Sequence, residues 1–190
     1  PGGLVVASVA AQLGLRVTLI EKSDQLGGDC LHSGCVPSTT LINAARIAHR
    51  ARQGAESGLL ASMPGIVFDK AIDEVHRVID QIQAVDDPER FRGYGCDVIF
   101  GAARFTGPHE ISVDEQTLRG RRFVIATGSR PAIPPRPLLE QTGCETNETI
   151  FRRRDLPEQL AVIGGGPIGV ELSQAFSRLG SQVTLIEAAD

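Results

Sequence analysis

The stretch from Leu160 to Glu187 constrains the fold of this chain more than any other part of the sequence. A short apolar run leads into a loop with the spacing G-x-G-x-x-G, formed by Gly164, Gly166 and Gly169. A helical pattern follows, then a second apolar run that ends at Glu187, 21 residues after Gly166. This arrangement is the dinucleotide-binding fingerprint, in which pyrophosphate meets the helix N-terminus and the acid accepts hydrogen bonds from a ribose. The alternative is a structural βαβ turn that binds no ligand.

Residues 1–24 repeat residues 167–190 at an offset of 166 positions, with ten of the 24 pairs identical and no gap. Each copy reads as a helix ended by a glycine, then a buried strand that ends in an acid, Glu21 in the first copy. The first copy retains only the third fingerprint glycine, Gly3, and lacks the leading strand. We therefore expect a segment of a longer protein, cut at both ends, with one site for a flavin and one for a nicotinamide.

Composition narrows the class of protein. The net charge is −4 and aromatic residues are only 4%, which argues against nucleic-acid and anionic-membrane partners. No apolar run approaches the roughly 18 residues that a membrane span needs. Four cysteines in 190 residues are too few for a disulfide scaffold. No signal peptide is visible, so the expected location is cytoplasmic.

The part of the chain between the repeats is predicted more coarsely. Apolar residues at helical spacing predict helices over about 38–52 and 69–85. Short β-prone runs, Val98–Phe100, Ile111–Val113 and Phe123–Ala126, predict an antiparallel meander within residues 97–127. The Pro-rich stretch from 130 to 137, and the residues up to 157, are interpreted as a linker.

Gly27 to Ser38 is the most specific stretch of the sequence. It contains Cys30 and Cys35, with Gly34 and Pro37 around the second cysteine. Pro37 suits the first turn of a helix, so Cys35 lies near a helix N-terminus, where the helix dipole favours a thiolate. The pattern indicates a small, reducible disulfide. Two alternatives are a pair of buried thiols and half of a zinc site, although Cys96 and Cys144 stand alone elsewhere.

These motifs together resemble the flavoprotein pyridine nucleotide-disulfide oxidoreductases, the family of dihydrolipoamide dehydrogenase, glutathione reductase and mercuric reductase. The family pattern G-G-x-C-x-x-x-G-C-x-P-S-K is matched from Gly27 to Ser38, and the Ala126-Thr127-Gly128 triplet and the Gly164–Glu171 fingerprint follow in the family's order. Residues 104–106 and 146–151 look most like the mercuric-reductase-like branch. The resemblance implies an α/β fold: a Rossmann-like FAD-binding domain over 1–150 with an antiparallel β-meander insertion, then the start of an NAD(P)-binding domain over 151–190.

The resemblance also implies two cofactors, FAD and NAD(P)H, and a set of contacts for each. Candidate residues on the FAD side are Gly3, Glu21, Lys22, Gly28, Asp29, Ala103, Thr127 and Gly128. On the nicotinamide side they are Gly164, Gly166, Gly169, Glu171 and Glu187. NADH is favoured over NADPH because Glu187 would repel a 2′-phosphate. No metal ligands are predicted.

The implied function is transfer of electrons from NAD(P)H through FAD to a Cys30–Cys35 disulfide, and from Cys30 to a small-molecule substrate, a disulfide or a metal ion. The family also implies a homodimer, formed through a C-terminal domain that carries its His-Glu acid–base pair. Alternatives are a flavoprotein transhydrogenase and a non-catalytic flavin- or nucleotide-binding module.

One departure from the family pattern concerns Thr39. The family has a lysine at this position, which pairs with the acid at Glu171, and a threonine cannot form that ion pair. The candidates for a replacement cation are Lys22 and an arginine from outside the segment. His32 lies between the cysteines and would serve either as a local base or, more simply, in loop packing.

Overall fold

The computed structural model describes residues 2–133, 139 and 141–188. The chain divides into two compact units, one formed by residues 1–31 and 81–130 and the other by residues 32–80 and 131–190. This division reflects packing within the chain and does not test the boundary expected at residue 150 between the FAD-binding and NAD(P)-binding domains. That boundary stays a prediction. The predicted Pro-rich linker lies partly outside the described residues. Within the described residues, no helix has the length and apolar character needed to cross a bilayer.

The helices and strands come largely in runs, with four consecutive helices followed by four consecutive strands. Up to the second fingerprint they are α1 (Gly2–Gln12), β1 (Val17–Glu21), α2 (Gly28–His32), α3 (Cys35–Glu56), α4 (Phe68–Gln83), α5 (Pro88–Gly93), β2 (Cys96–Phe100), β3 (Ala103–Gly107), β4 (Glu110–Val113) and β5 (Gln116–Arg119). The remaining elements are a 3-10 turn (Ile150–Arg152), β6 (Gln159–Ile163), α6 (Pro167–Leu179) and β7 (Gln182–Ile186).

The first unit is built on a parallel pair of strands. β1 pairs with β2 in register from Val17 with Cys96 to Glu21 with Phe100. The small residues Ala7 and Ala11, one turn apart on α1, are buried in the same core as Cys96. Alanines on this face allow the helix backbone to approach the strands closely.

The predicted meander is present, but its strands differ from the expected ones. β3, β4 and β5 form an antiparallel sheet, and Val98–Phe100 belongs instead to the parallel pair. An apolar run predicts a strand but does not specify which strand it pairs with.

The expected strand Phe123–Ala126 is also wrong as a part of the meander. Its residues have no strand assignment, and Val124 and Ile125 are 62% and 73% exposed. Phe123 packs edge-on against Phe105, with 5.2 Å between the ring centroids. The third strand is the polar β5, whose pairing with β4 requires only backbone hydrogen bonds.

The second unit surrounds one apolar core. β6 and β7 pair in parallel, and α6 connects them. The buried residues of this core come from α3, α4, the 3-10 turn and α6. They are Leu41, Ala45, Ala48, Phe68, Ile72, Val75, Ile150, Phe151, Ala175, Phe176 and Leu179. α3 and α4 confirm the two predicted helices, although α3 is longer at both ends, from Cys35 to Glu56.

Substitution of isoleucine by alanine tests this core. Ile72 on α4 is 0% exposed, whereas Ile47 on α3 is 62% exposed. Ile72→Ala should lower the free energy of unfolding by about 2–5 kcal/mol, because it removes buried methylene groups and leaves a cavity. The matched Ile47→Ala change should stay within about 0.5 kcal/mol. Urea unfolding followed by circular dichroism measures both values, and equal losses would contradict the assigned core.

Candidate functional site

The carboxyl end of β1 and the start of α1 form one edge of the first unit. Glu21 ends β1, and its Oε1 accepts a hydrogen bond from the Ser23 backbone N–H at 3.0 Å. A Cβ added to Gly3, in the first turn of α1, would lie 3.3 Å from the Cβ of Ala126. This helix start therefore lies directly against the Ala126–Gly128 segment. The first turn of α1 contains no acid, which suits a bound anion.

Asp29 joins α2 to the same segment. Its Oδ2 accepts a hydrogen bond from the Ser129 N–H at 2.7 Å. Gly128 has φ +72°, and a Cβ there would lie 2.5 Å from Asp29 Oδ2. A side chain at position 128 would thus strain the backbone and displace the carboxylate. Gly3 and Asp29 therefore both lie against residues 126–129, as expected for one binding region.

The other FAD-side candidates lie beside these residues in the chain. Lys22 directly follows Glu21 and is exposed, and Gly28 opens α2 with φ +63°. Ala103 opens β3, two residues after Gly101, whose N–H donates to the Glu21 carbonyl at 2.8 Å. Thr127 is exposed beside Gly128.

The fingerprint loop with Gly164, Gly166 and Gly169 has the tight geometry that these glycines predict. Gly164 follows β6 with φ +110°, and its N–H donates to the Ile186 carbonyl of β7 at 2.8 Å. A Cβ on Gly169 would lie 1.9 Å from the Gly164 carbonyl oxygen. Backbone atoms of Gly164 occupy that space, so only glycine fits at position 169.

The N-terminus of α6 has room for an anion. Gly166 is its N-cap and forms no side-chain capping bond, Pro167 follows, and the first turn contains no acid. An added Cβ on Gly166 would meet no atom within 4 Å. Glu187, just after β7, accepts hydrogen bonds from the N–H groups of Gly165 and Ala188. The fingerprint loop and Glu187 are therefore in direct contact.

Glu171 and Thr39 are both exposed, on α6 and α3 respectively. These two helices pack together in the second unit. A lysine is absent from position 39, so the family's ion pair with Glu171 does not form from that position.

The cysteines occupy four different environments. Cys30 is half-buried within α2, and Cys35 is exposed as the first residue of α3, which confirms the predicted helix start close to it. Cys96 is buried and its Sγ donates to the Ala7 carbonyl at 3.6 Å. Burial, and then the nearby Asp97 carboxylate, raise the pKa of the Cys96 thiol, which disfavours its reactive thiolate form.

Cys144 is exposed. Across residues 2–133, 139 and 141–188, no three His, Cys, Asp or Glu side chains are grouped as metal ligands.

Sequence reasoning missed two residues that contact the predicted sites. Ser129 bonds Asp29, and Asn147 bonds the Ser33 carbonyl between the two cysteines. Ser129 directly follows the Ala126-Thr127-Gly128 triplet, so its position was a usable signal. The Thr146–Thr149 segment has the turn-forming composition that could have indicated an ordered Asn147.

The chain is similar to known proteins over its whole length. The family model described as pyridine nucleotide-disulphide oxidoreductase matches residues 1–190. The chain belongs to this family. It is 34% identical over 197 residues to a dihydrolipoyl dehydrogenase from Halobacterium salinarum, covering all of this chain and 41% of that relative. It is 33% identical over 181 residues to a mercuric reductase from Lysinibacillus sphaericus, covering 95% of this chain and 33% of that relative.

A solved structure gives the same family placement. The chain superposes with a TM-score of 0.80 and 30% identity on the HOCl-induced flavoprotein disulfide reductase RclA from Escherichia coli, determined as a Cu(II) complex. The match covers 98% of this chain and 40% of that protein. The predicted Rossmann-like α/β fold is confirmed. Members of the pyridine nucleotide-disulphide oxidoreductase family bind FAD and use NAD(P)H, which confirms the predicted cofactors at the level of the family.

The chain is shorter than these relatives. It spans between a third and about two fifths of the length of the three proteins described above. At the predicted nicotinamide site, the exposed N-terminus of α6 has no acid in its first turn and fits a phosphate group.

A pair of glycine substitutions separates folding from nucleotide binding. Gly169→Ala should destabilise the second unit by several kcal/mol, on the order of a severe overpacking change, because its Cβ meets the Gly164 carbonyl oxygen. Gly166→Ala meets open space and should leave stability nearly unchanged while weakening nucleotide binding by blocking pyrophosphate.

Urea unfolding and NADH titration by fluorescence measure the two effects. Equal stability of the two variants would contradict the loop geometry. Unchanged NADH binding by the Gly166→Ala variant would contradict the proposed pyrophosphate position.

Proposed function

We propose that the protein carrying this chain is an FAD-dependent NAD(P)H:disulfide oxidoreductase with Cys30 and Cys35 as its redox-active pair. The observation that carries this proposal is the position of α2. Asp29 anchors this helix to Ser129 at the predicted FAD region, and Cys30 is the next residue. Cys35 follows at the start of α3, exposed to solvent. The motif thus begins directly at the cofactor region of the first unit.

The residues of the chain have distinct tasks in this proposal. The N-terminus of α1, with Gly3, and residues 127–129 would hold FAD, while Glu21 would accept hydrogen bonds from its ribose. The glycine loop and Glu187 would hold the nicotinamide dinucleotide in the same way. FAD, when bound, would accept hydride from NAD(P)H and deliver two electrons to the Cys30–Cys35 disulfide.

Thiol–disulfide exchange completes the cycle. The Cys30 thiolate attacks one sulfur of a substrate disulfide, which forms a mixed disulfide and releases the first substrate thiol. The Cys35 thiolate then attacks Cys30 Sγ, which releases the second thiol and restores the Cys30–Cys35 disulfide. NADH, one proton and one disulfide thus give NAD⁺ and two thiols.

The proposal includes a homodimer, as the family resemblance implied, and the cytoplasmic location expected from the sequence. For the substrate we favour a small disulfide. A metal ion is the second candidate, because one relative is a mercuric reductase and the structural relative was determined as a Cu(II) complex.

Anaerobic thiol titration before and after NADH tests the redox pair. In the full-length, FAD-loaded protein we expect NADH to add two titratable thiols, because reduction opens one disulfide. Cys144→Ser, a control at an exposed cysteine outside the pair, should retain this gain, whereas Cys30→Ser should abolish it. Flavin reduction without new thiols would instead indicate a transhydrogenase. Absence of both flavin and NADH reactivity would indicate a binding module.

Glu187 should set the choice of nicotinamide cofactor. Its carboxylate lies at the fingerprint loop, where the ribose is expected. A 2′-phosphate about 5 Å away would be repelled by roughly 1–3 kcal/mol per unit charge. Glu187→Gln keeps an acceptor oxygen for the Gly165 N–H but removes the charge. We expect the ratio of kcat/KM for NADPH to that for NADH to rise about tenfold.

The control for this substitution is Glu158→Gln, which removes an exposed charge from the same unit just before β6. Its cofactor ratio should stay within about twofold of the unmodified protein. A wild-type enzyme that already prefers NADPH would overturn the assigned role of Glu187.

A further inference from the structure

A long-range hydrogen bond reaches the short segment between the two cysteines. Asn147 Nδ2 donates to the backbone carbonyl of Ser33 at 3.1 Å, and the bond is partly buried. Ser33 and Gly34 connect the end of α2 to Cys35 at the start of α3. The donor comes from a part of the chain 114 residues away. Both partners lie in the second unit.

The Ser33 carbonyl lies just outside the hydrogen-bond ladder of α3. The Gly34 carbonyl is the first to enter that ladder, where it accepts from the Ser38 N–H at 3.0 Å. Ser33, one residue earlier, is bonded by the Asn147 amide instead. A hydrogen bond to this partly buried carbonyl is favourable, because buried backbone acceptors are costly to leave unsatisfied. The bond therefore restrains the conformation of the connector at the point where α3 begins.

Asn147 is itself held by a closed turn. The Thr149 side chain accepts from the Thr146 N–H at 3.0 Å, and the Thr146 side chain accepts from the Glu148 N–H at 3.2 Å. The Ile150 N–H also donates to the Thr146 carbonyl at 2.9 Å. Two side chains and one backbone bond thus limit the motion of the turn that presents the Asn147 amide.

The turn and α3 pack against the same apolar core. Ile150 and Phe151, directly after the turn, are 8% and 4% exposed in the core of the second unit. Leu41 and Ala45 of α3 are buried in the same core. Donor and acceptor are consequently fixed to the same packed side chains, and such interiors deform little. A hydrogen bond between two elements that pack on the same core restricts the connector more than a hydrogen bond between two surface loops.

We infer that Asn147 is a positioning residue for the redox-active cysteines, holding the connector in the conformation from which their disulfide forms. This inference rests on the proposed function of Cys30 and Cys35. A connector held in place raises the effective concentration of one thiol at the other, and so favours the disulfide over the dithiol. Loss of the bond gives the dithiol form more conformational freedom, which makes the disulfide easier to reduce. Asn147 acts through Ser33.

The test measures the disulfide–dithiol equilibrium directly, without turnover. The full-length protein is equilibrated with mixtures of reduced and oxidised dithiothreitol, quenched, and its Cys30 and Cys35 thiols are alkylated and counted by mass spectrometry. In this exchange the protein disulfide gains two electrons and two protons, and dithiothreitol becomes its cyclic disulfide. Asn147→Asp keeps the size of the side chain but replaces the donor with an acceptor. We expect it to raise the equilibrium constant for reduction about three- to tenfold, the range of one side-chain hydrogen bond.

Three further variants control for folding and for charge. Asn43→Asp makes the same change at an exposed position of α3 and should leave the constant within twofold. Asn147→Gln keeps an amide donor and should return the constant toward that of the unmodified protein. Asn147→Ala, which adds no charge, replaces the aspartate variant if that protein does not fold. A purely structural role would lower the melting temperature without changing the equilibrium constant.

The two hypotheses fail in different ways. If the unmodified protein forms no reversible Cys30–Cys35 disulfide, the proposed function is wrong and this inference falls with it. If the disulfide is reversible but Asn147→Asp and Asn147→Ala leave its equilibrium constant within twofold, the positioning role alone is overturned.

Discussion

The apolar core around Phe176 is the constraint on which the second unit depends. Phe176 on α6 is 0% exposed and packs against Phe68 of α4 with 5.8 Å between the ring centroids. The same core buries one face of α3 and the 3-10 turn at Ile150. These elements carry the start of the Cys35 helix, the turn that presents Asn147, and the helix of the fingerprint. Because one set of packed side chains supports all three, their relative positions depend on packing rather than on loop conformation.

Close backbone approach is the second constraint, and glycine makes it possible. At Gly169 the carbonyl oxygen of Gly164 occupies the space that a Cβ would need. At Gly128 a positive φ and the Asp29 carboxylate exclude a side chain. In both units a glycine of the predicted cofactor region is thus already required by the protein's own packing. The fingerprint is therefore both a structural device and a site where an anion can reach backbone N–H groups.

Sequence reasoning predicted the parts of the fold that local chemistry specifies. The glycine loop, its acid at Glu187 and a helix that begins close to Cys35 all follow from spacing and residue type. Pairing between distant strands does not, so β2 was placed in the meander although it pairs with β1. The bonds from Ser129 to Asp29 and from Asn147 to Ser33 span 100 and 114 residues. No periodicity encodes contacts of that separation, because they depend on how packed elements meet.

Three of the four acids at the two predicted dinucleotide sites share one feature that spacing alone does not reveal. Glu21 accepts from Ser23, Asp29 from Ser129, and Glu187 from Gly165 and Ala188, in every case through a backbone N–H. A carboxylate near a phosphate is unfavourable by charge, but hydrogen bonds from N–H groups stabilise it. The same bonds hold each carboxylate at its loop without any ligand. In the proposed function, a ribose hydroxyl would approach Glu21 or Glu187 at an oxygen whose position is already restricted, which lowers the entropy lost on binding. Glu21 and Glu187 would thus both order their loops and contact the sugar, whereas Asp29 joins α2 to residue 129.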